Sequence, residues 1–524
     1  MLTAALSLRD NYWEEFKLEE DGITFLYEHL LENETPLTTE ELTPLLVEHR
    51  IEQEKKSLEK KRLDGKDIYM PKKDYEVGQG LVFPALGWQK GKIIDVRDGE
   101  NPELGSFEVI KVQFQEGEER EFASGIEEHV LNDPIETTEG DSLNTEKVLD
   151  ENADLLIERV KKGLEERSEF VRIAGRWFPR ALLLDINVGQ LNLVEAVLDM
   201  SGGGPKPTSE LIEQVDLSPD VHPKLVEFSM DMALQEDDRF DEVGPAGIVA
   251  WYLKSMEPEG VQKTPTYLQY TPIDYDRSAL NKAMKKLERS LDDELSFFED
   301  ALPTPKKEVE VCLIFPHWRA GTLPLSDRIS PLFPTAYESP RIRFTLIDGD
   351  SGKRFPGWVV RKERYVYGLR DWYKEKGLIP GGIVRVRQGD EPGEIIVIAD
   401  ESRATKDWMR TVLVGADGEI VFATLKQIVS AAYNERMGIA VPDVETVDEI
   451  WQRNRKNPPP FEGVVADIVR ELAKINPQGH VHVTELYAAV NIIRRCPPGP
   501  IMALLETRPW FLHVGDLHFR FDDS

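Results

Sequence analysis

The sequence predicts an α+β protein of several domains, in which small helical units are combined with small β-rich units. The chain has 524 residues, and because a single hydrophobic core stops growing well below that length, we expect about three to five domains. Helical periodicity followed by a hairpin-like pair of strands occurs near the middle and again at the end of the chain. Two other stretches contain almost only strand-like segments. These patterns together indicate separate α+β domains.

The composition is typical of a globular protein without a membrane segment. Hydrophobic residues make up 40% of the chain, and no stretch approaches the roughly 20 apolar residues that cross a bilayer. The first residues contain a short apolar run with no basic residues before it, which is not typical of a secretory signal. Cys312 and Cys496 lie far apart, so neither a disulfide framework nor a cysteine-based zinc site is expected. We therefore expect a cytoplasmic protein.

The formal net charge of −32 restricts the possible partners. Non-specific binding to nucleic acid depends on cations that neutralise phosphates, so any DNA contact of this chain is expected to be local. An acidic surface also favours solubility or attraction to a basic partner.

The first part of the chain reads as a helical unit followed by a strand-rich unit. Residues 22–63 have helical periodicity, with an N-cap signal at Thr38. The order of helices and then strands over residues 10–76 is typical of a winged helix. Residues 77–132 contain short alternating segments separated by Gly-containing turns, which predicts a small SH3-like or Tudor-like β-barrel. Residues 133–151 are acidic and poor in aromatics, and are predicted to be a linker.

Two further units show a common order of elements. Residues 165–255 and 455–524 each contain three helical segments and a final hairpin, and the former also begins with strand-like residues. Residues 239–244 align with residues 510–515, and each segment is followed by an apolar aromatic strand. The apolar face of each hairpin is expected to cover the three helices. The predicted core residues of these hairpins are Phe240, Trp251, Trp510 and Phe519.

Both units resemble the winged-helix family that includes the bacterial RNA polymerase delta subunit and the HARE-type helix-turn-helix domains. The resemblance rests on the closing hairpin, in which Phe240 and Phe511 are each followed by a short polar step, Val-Gly and a last strand. It implies a winged-helix fold and binding to DNA or to the transcription machinery. The predicted third helices, residues 221–238 and 497–506, are not basic. A winged helix that contacts protein instead of DNA is expected to have this character.

Residues 306–401 read almost entirely as strands and contain a basic segment. Between Arg341 and Arg387 there are twelve Lys or Arg residues and five Asp or Glu residues, which gives a local net charge of +7. Aromatic residues interleave with these bases: Phe355, Trp358, Tyr365, Tyr367, Trp372 and Tyr373. Cations suit phosphates, and planar groups and guanidinium forks suit base edges, so the segment predicts a nucleic-acid surface.

This segment also resembles the B3-type DNA-binding pseudobarrel. The matching residues are, in order, Leu323-Pro324, Asp348 with Gly352, Trp358, the basic turn from Arg361 to Arg364, Gly368 with Trp372, and Leu378 with Gly381. Gly382 stands where the family usually has Asp. The resemblance implies that the turn from Arg361 to Tyr365 forms one of two DNA-binding arms.

The candidate DNA-binding residues are Arg354, Arg361, Lys362, Arg364, Tyr365, Arg370 and Lys374. The alternative is that the bases alternate on the solvent face of a barrel and that its Trp residues, Trp372 above all, fill the core.

The sequence contains no recognisable catalytic, cofactor or metal-binding motif. Gly202 to Gly204 is followed by proline instead of the pattern of a phosphate-binding loop. The pairs His480 with His482 and His513 with His518 lack a Cys or acidic ligand at a fixed spacing. We therefore predict no catalytic residue, cofactor or metal.

The favoured hypothesis is a regulatory protein, associated with transcription, that binds double-stranded DNA through the basic segment. The alternative is an acidic accessory factor that binds RNA polymerase or another protein complex, which accounts better for the net charge. A third hypothesis is an enzyme of unrecognised type, for example a component of a restriction or repair system whose catalytic subunit is a different chain.

Overall fold

A computed structural model describes the chain apart from residues 1–2, 7–10, 64–66, 87–88, 102–105, 115–117, 133–135, 140–142, 216–220, 297, 299–306, 416–417 and 523–524. The fold is mixed α/β with several separate sheets. The described helices are α1 (Glu20–Asn33), α2 (Thr39–Leu63), α3 (Thr145–Glu165), α4 (Val188–Met200), α5 (Thr208–Ile212), α6 (Pro223–Glu236), α7 (Glu259–Gln262), α8 (Lys282–Leu291), α9 (Phe315–Ala320), α10 (Arg370–Glu375), α11 (Val444–Lys456), α12 (Phe461–Ile475), α13 (Val483–Ile493) and α14 (Pro498–Thr507).

The strands form sheets of two to seven members. The first thirteen are β1 (Thr3–Leu6), β2 (Leu37–Thr38), β3 (Asp67–Ile68), β4 (Gly80–Phe83), β5 (Gln89–Asp98), β6 (Glu108–Phe114), β7 (Glu119–Ser124), β8 (Glu136–Glu139), β9 (Phe170–Ile173), β10 (Arg176–Pro179), β11 (Lys206–Pro207), β12 (Phe240–Glu242) and β13 (Ala250–Leu253). The others are β14 (Glu308–Cys312), β15 (Thr322–Pro324), β16 (Arg341–Asp348), β17 (Arg354–Val360), β18 (Tyr365–Tyr367), β19 (Ile383–Gln388), β20 (Glu394–Ala399), β21 (Glu401–Val414), β22 (Ile420–Ala431), β23 (Val481–His482), β24 (Phe511–Gly515) and β25 (His518–Phe521).

The chain forms two compact units. The first unit comprises Met1–Asp185 and Pro219–Ser229, and the second comprises Ile186–Ser218 and Met230–Ser524. No described helix is both long enough and apolar enough to cross a membrane.

Three modules share one plan: a helix, a short strand, two more helices and a hairpin. The first module contains α1, β2, α2, α3, β9 and β10. The second contains α4, β11, α5, α6, β12 and β13, and the third contains α12, β23, α13, α14, β24 and β25. In each sheet the short strand pairs with the last strand of the hairpin, in the orders β2-β10-β9, β11-β13-β12 and β23-β25-β24.

The first module is discontinuous in sequence, which differs from the predicted domain boundaries. Its third helix and hairpin follow α2 only after a five-stranded sheet of order β3-β4-β5-β6-β7. The hairpin at residues 170–179 therefore belongs to the first module, although the sequence assigned it to the second. The reason is long-range pairing, because Trp177 of β10 lies opposite Leu37 of β2. The helix α3 begins at Thr145, within the predicted linker at residues 133–151.

The inserted five-stranded sheet has an aromatic core. Tyr69, Phe83 and Phe114 are buried there, and Phe122 packs against them. The ring centres of Phe83 and Phe122 are 4.5 Å apart. The alternating pattern of residues 77–132 covers the strands β4 to β7, whereas the first strand of the sheet, β3, begins at Asp67, ten residues before the predicted boundary.

Equivalent positions of the three modules carry equivalent side chains. The fourth residue of the second helix is a buried leucine in each module, Leu42, Leu211 and Leu486. The hairpins begin at three buried phenylalanines, Phe170, Phe240 and Phe511. The residue opposite the short strand is Trp177, Trp251 or Phe519. All three are buried.

The two tryptophans share a hydrogen-bonding pattern as well as a position. Trp177 Nε1 donates to Thr39 Oγ1 at 2.9 Å, and Trp251 Nε1 donates to Thr208 Oγ1 at 3.2 Å and to Asp231 Oδ1 at 2.9 Å. Thr39 and Thr208 are each the first residue of the helix after the short strand. This bond therefore joins the hairpin to the start of a helix in both modules.

Trp510 is not a core residue, so its prediction was wrong. Its side chain is 37% exposed, and its ring lies 6.0 Å from the guanidinium carbon of Arg508. The core position is taken by the next residue, Phe511, because β24 begins there and alternation in a strand places neighbouring side chains on opposite faces. Phe240, Trp251 and Phe519 are buried as predicted.

The segment at residues 308–399 forms a seven-stranded, nearly closed barrel-like sheet, called the barrel below. Its strand order is β14-β19-β20-β16-β17-β18-β15. All neighbouring strands are antiparallel except β16 and β20, which are parallel. After the barrel, β21 and β22 form a long two-stranded ribbon, called the ribbon below. Its residues Val412, Ile420 and Phe422 pack into the core of the third module.

Candidate nucleic-acid interface

The β17–β18 turn holds Arg361, Lys362 and Arg364 at one end of the barrel. The Arg361 amide donates to the Pro340 carbonyl at 3.0 Å, and the Leu325 amide donates to the Arg364 carbonyl at 2.8 Å. Arg364 has a φ of 56°, a left-handed conformation that a non-glycine residue adopts only where its surroundings hold it there. The backbone of the turn is therefore fixed on both sides by neighbouring segments.

The three side chains of the turn differ in their freedom. Arg361 Nη1 donates to the Ser339 carbonyl at 2.9 Å, and Arg364 forms an ion pair with Asp327. Lys362 is exposed and has no polar partner among the described residues. The turn therefore presents one free ammonium group between two guanidinium groups of fixed position.

Tyr365 does not belong to this surface, and its candidate role is corrected. The side chain is 1% exposed, and its hydroxyl donates to the Gly260 carbonyl at 2.8 Å. Burial raises the pKa of Tyr365 well above its ordinary value. The first residue of β18 points into the protein because residues 257–263 cover this face of the barrel.

The remaining candidates lie at the other end of the barrel. Arg354 begins β17, and Arg341 of β16 lies opposite the last residue of β17, Val360. At roughly 3.3 Å per residue, the two ends of β17 are about 20 Å apart. Arg370 and Lys374 lie on α10 near the Arg354 end, where Lys353 pairs with Glu375 at 2.9 Å. The structure therefore divides the six basic candidates between the two ends of the barrel, three at each, and buries Tyr365.

Acids from distant parts of the chain neutralise much of the basic segment. Arg354 pairs with Glu394 at 2.6 Å, and Arg341 pairs with Asp241 at 2.6 Å. Further pairs join Lys376 to Asp350 and Arg385 to Glu308 and Asp400. The local net charge of +7 counted along the sequence therefore overstates the positive charge that a ligand would meet.

The aromatic residues of the segment serve mainly the core. Trp358, Trp372 and Tyr373 are at most 3% exposed. Arg343 lies with its guanidinium carbon 5.7 Å from the Trp358 ring centre, and its burial lowers its pKa. The alternative interpretation from the sequence, that the Trp residues fill a barrel, holds for Trp372. Trp358 is buried outside the barrel core, where it packs with Val243 and Val261.

The hairpin of the second module packs against the barrel beside Trp358. The Arg343 amide donates to the Val243 carbonyl at 2.9 Å, and the rings of Tyr252 and Trp358 meet edge to face with centres 5.1 Å apart. Two carboxyl groups are enclosed near this contact, Glu242 and Glu257. Burial raises the pKa of Glu242 to about 8, although hydrogen bonds from the Gly244 and Ala250 amides act to lower it. Burial and the neighbouring Asp241 likewise raise the pKa of Glu257, although Arg341 opposes this.

We expect the stability of the second unit to fall as the pH rises from about 5 to about 8. Between about pH 5 and pH 8, an acid with a raised pKa keeps its proton in the folded protein, whereas the unfolded chain releases it. The folded state then binds more protons than the unfolded state, so the free energy of unfolding decreases as the pH rises. Thermal melting at several pH values measures the slope. Glu242→Gln and Glu257→Gln should each flatten it, whereas Glu259→Gln, at an exposed position, should not. An unchanged slope in both buried variants would contradict the assignment.

Three histidines of the third module meet at its sheet, but their geometry does not suit a metal. The His518 ring centre lies 4.6 Å from that of His480 and 4.9 Å from that of His482. His482 Nδ1 accepts from the Thr484 amide at 3.1 Å, and its Nε2 lies 2.7 Å from Arg436 Nη1. Burial, with Arg436 and His518, lowers the pKa of His482 to about 4. Among the described residues, no group of three or more potential ligands is arranged to hold a metal ion.

The third helices of the modules do not provide a basic surface for DNA. Acids outnumber bases in both α3 and α6. The helix α14 is buried at every residue from 498 to 505, and Tyr275 lies so close to Gly499 that an added Cβ would be 2.4 Å from its hydroxyl. The third helix of this module is therefore enclosed and cannot enter a DNA groove.

No protein-family model matches the chain, and no curated protein or solved structure matches it significantly.

Proposed function

We propose that this chain is a cytoplasmic, non-enzymatic regulatory protein, associated with transcription, that contacts double-stranded DNA through the β17–β18 turn. The observation that carries the proposal is the fixed turn that presents Arg361, Lys362 and Arg364 together at one end of the barrel. Closely spaced cations on a rigid element suit consecutive phosphates. Because the chain has a net charge of −32, contact with DNA is restricted to a small, locally basic part of the surface.

We further propose that the barrel is a B3-like pseudobarrel. Leu323 and Pro324 lie in β15, Asp348 ends β16, Trp358 lies in β17, and Trp372 lies in α10. This order supports the resemblance found in the sequence, in which the turn after the Trp-bearing strand is a DNA-binding arm.

We also propose that the three modules are winged helices and that the inserted five-stranded sheet is an SH3-like barrel. The support is the shared order of elements and the shared sheet order. Because α3 and α6 are acidic and α14 is enclosed, the proposal assigns DNA contact to the barrel and gives the modules a structural or protein-binding role.

The test replaces the three cations of the turn in the full chain. We expect Arg361→Gln/Lys362→Glu/Arg364→Gln to weaken binding to a duplex by more than tenfold and to reduce the salt slope by about two to three units, because each lost phosphate contact removes about 0.9 from the slope. Fluorescence anisotropy of a labelled duplex at several salt concentrations measures both quantities, and circular dichroism checks folding.

Two further variants make this result specific. Lys374→Glu, an exposed change at the other end of the barrel, should leave duplex affinity almost unchanged. Asp327→Asn should raise the affinity a few-fold, because it releases Arg364 from its ion pair. A folded triple variant that binds as tightly as the unmodified protein would refute DNA contact at this turn.

A second candidate function is binding to a protein such as RNA polymerase. The helix α4 exposes three large apolar side chains, with exposed fractions of 69% for Val188, 51% for Leu193 and 88% for Met200. Leu193 and Met200 are seven residues apart and so lie on one face of the helix. Exposed apolar side chains on one helix face are typical of a protein-binding surface.

For this second candidate, we expect Leu193→Asp/Met200→Asp to remove partners that remain bound to the native chain after nuclease treatment. The measurement is quantitative co-purification, with Gln190→Asp on the same helix as the control. Retention of every nuclease-resistant partner by the double variant would exclude α4 as the contact.

A further inference from the structure

The ribbon carries an exposed face that combines cations with a tryptophan. In its register Lys406 lies opposite Ile428, Trp408 opposite Lys426, and Arg410 opposite Thr424. Directly opposed residues of an antiparallel pair point to the same side, so these six residues share one face. Trp408 is 66% exposed and Ile428 is 69% exposed, and Lys406 and Lys426 are exposed as well.

The charge of this face is positive within an acidic protein. None of its six residues is an acid. Arg410 forms an ion pair with Glu485 of the third module at 2.8 Å. Its charge is therefore neutralised at the side of the face next to that module. Lys406 has no polar partner among the described residues, and Lys426 Nζ lies 5.1 Å from the Trp408 ring centre. Lys406 therefore remains available beside the exposed ring, and Lys426 lies over one face of that ring.

A cleft of about 640 Å³ begins at Trp408 and continues towards the end of α12. Its other walls include Thr424, Tyr433, Asn476 and Pro477. Ligand sites commonly have volumes of about 300–1,000 Å³, so a nucleotide-sized group fits this cleft. Carboxylates of Asp407 and Glu435 also border it, which excludes a phosphate from the interior and favours a group that donates hydrogen bonds.

From these observations we propose that the ribbon face binds single-stranded nucleic acid, with one unpaired base stacked on Trp408 and the adjacent phosphates on Lys406 and Lys426. A flat, solvent-exposed indole ring is the platform that stacking on a base requires, and flanking cations provide backbone affinity. A base within a duplex is stacked on both faces and cannot pack against the ring. The site is therefore selective for unpaired strands and is independent of duplex contact at the β17–β18 turn.

The test compares strands and variants in the full chain. The probes are a labelled 12-nucleotide DNA strand, the RNA strand of the same sequence and the corresponding duplex, titrated by fluorescence anisotropy. We expect Trp408→Ala to weaken single-strand binding about 5- to 100-fold, because stacking of one base on an aromatic ring is worth a factor of this size. Trp408→Phe should restore part of the affinity, and Lys406→Glu/Lys426→Glu should also weaken it.

The control variant is Trp510→Ala, which removes a partly exposed tryptophan of the third module and should leave single-strand binding unchanged. Duplex binding should respond to the turn variants and not to Trp408→Ala, so failure of one proposal is distinguishable from failure of the other. Equal losses with the DNA and RNA strands indicate recognition of base and phosphate alone, and unequal losses add a contact to the sugar. If neither strand binds, if Trp408→Ala binds both as the unmodified protein does, or if Trp408→Ala loses only a protein partner, the proposal is overturned.

Discussion

Replacing Arg495 by methionine is expected to destabilise the third module by about 3–5 kcal/mol, the usual cost of removing one partner from a buried ion pair. Arg495 is fully buried, with its Nη2 2.6 Å from Asp293 Oδ1 and 2.7 Å from Glu294 Oε1. The Tyr487 hydroxyl also donates to Asp293, at 2.5 Å. Without the guanidinium group, two enclosed carboxylates would lose their main counter-charge. Burial would raise the pKa of Glu294, but Arg495 and the neighbouring His317 hold it far below its ordinary value.

Hydrogen–deuterium exchange in peptides covering α13 measures this loss in the intact chain. The control is Arg494→Met at the preceding residue, whose guanidinium carbon lies 5.5 Å from the Phe461 ring centre; it should cost less than about 1 kcal/mol. The triple variant Asp293→Asn/Glu294→Gln/Arg495→Met should recover part of the stability, because a neutral cluster leaves no uncompensated charge. Equal exchange in the Arg495 and Arg494 variants would show that the cluster does not stabilise the module.

Trp251→Ala is expected to cost about 3–5 kcal/mol from the cavity alone, with a further ~1–3 kcal/mol because Asp231 loses a buried donor. Trp251 is fully buried, and its indole lies between Thr208 and Asp231. Trp251→Phe should show an intermediate cost, because it keeps most of the volume and loses the donor. Exchange of the peptides that cover α4 and β13 reports the effect on the second module.

Trp510→Ala is the matched control for this prediction. Its side chain is partly exposed, so its removal should cost less than about 1 kcal/mol. A Trp510 variant that is destabilised as much as the Trp251 variant would mean that burial does not determine the cost, and would contradict the equivalence of Phe511 with Phe240.

The sequence predicted the helices and hairpins of single modules well, because these elements depend on residues that are close in the chain. Helical periodicity and turn residues located the three helices and the hairpin of the third module, and the alignment of residues 239–244 with 510–515 places Phe240 and Phe511 at equivalent positions of their hairpins. The first module was divided wrongly because its sheet joins Leu37 to Trp177. A usable signal was present, since Trp177 follows a strand that ends in a tight turn at Ala174 and Gly175. In addition, Leu42, Leu211 and Leu486 each follow a short segment that contains Thr and Glu.

The candidate site was harder to predict because charge counted along a sequence ignores partners from elsewhere in the fold. Asp327, Glu394 and Asp241 lie 37, 40 and 100 positions from the arginines that they neutralise, and they reach them only once the chain is folded. Tyr365 was selected for its place beside basic residues, whereas alternation along β18 and the covering segment at Gly260 decide its burial. The ribbon was not singled out, although the spacing of Lys406 and Trp408 on one strand indicates a shared face.

The insertion of a complete sheet between α2 and α3 has a consequence for synthesis on the ribosome. The strand β2 cannot pair until β10, which lies about 140 residues later, has been synthesised. At a synthesis rate of roughly 5–20 residues per second, this delay is about 7–28 s. During that time the apolar residues of α1 and α2, among them Leu26, Leu30 and Leu42, have no hairpin to cover them. The inserted sheet, whose strands are neighbours in sequence, can fold in this interval. Nascent chains halted before residue 170 should therefore bind chaperones that recognise exposed leucines, and release them once Trp177 has emerged.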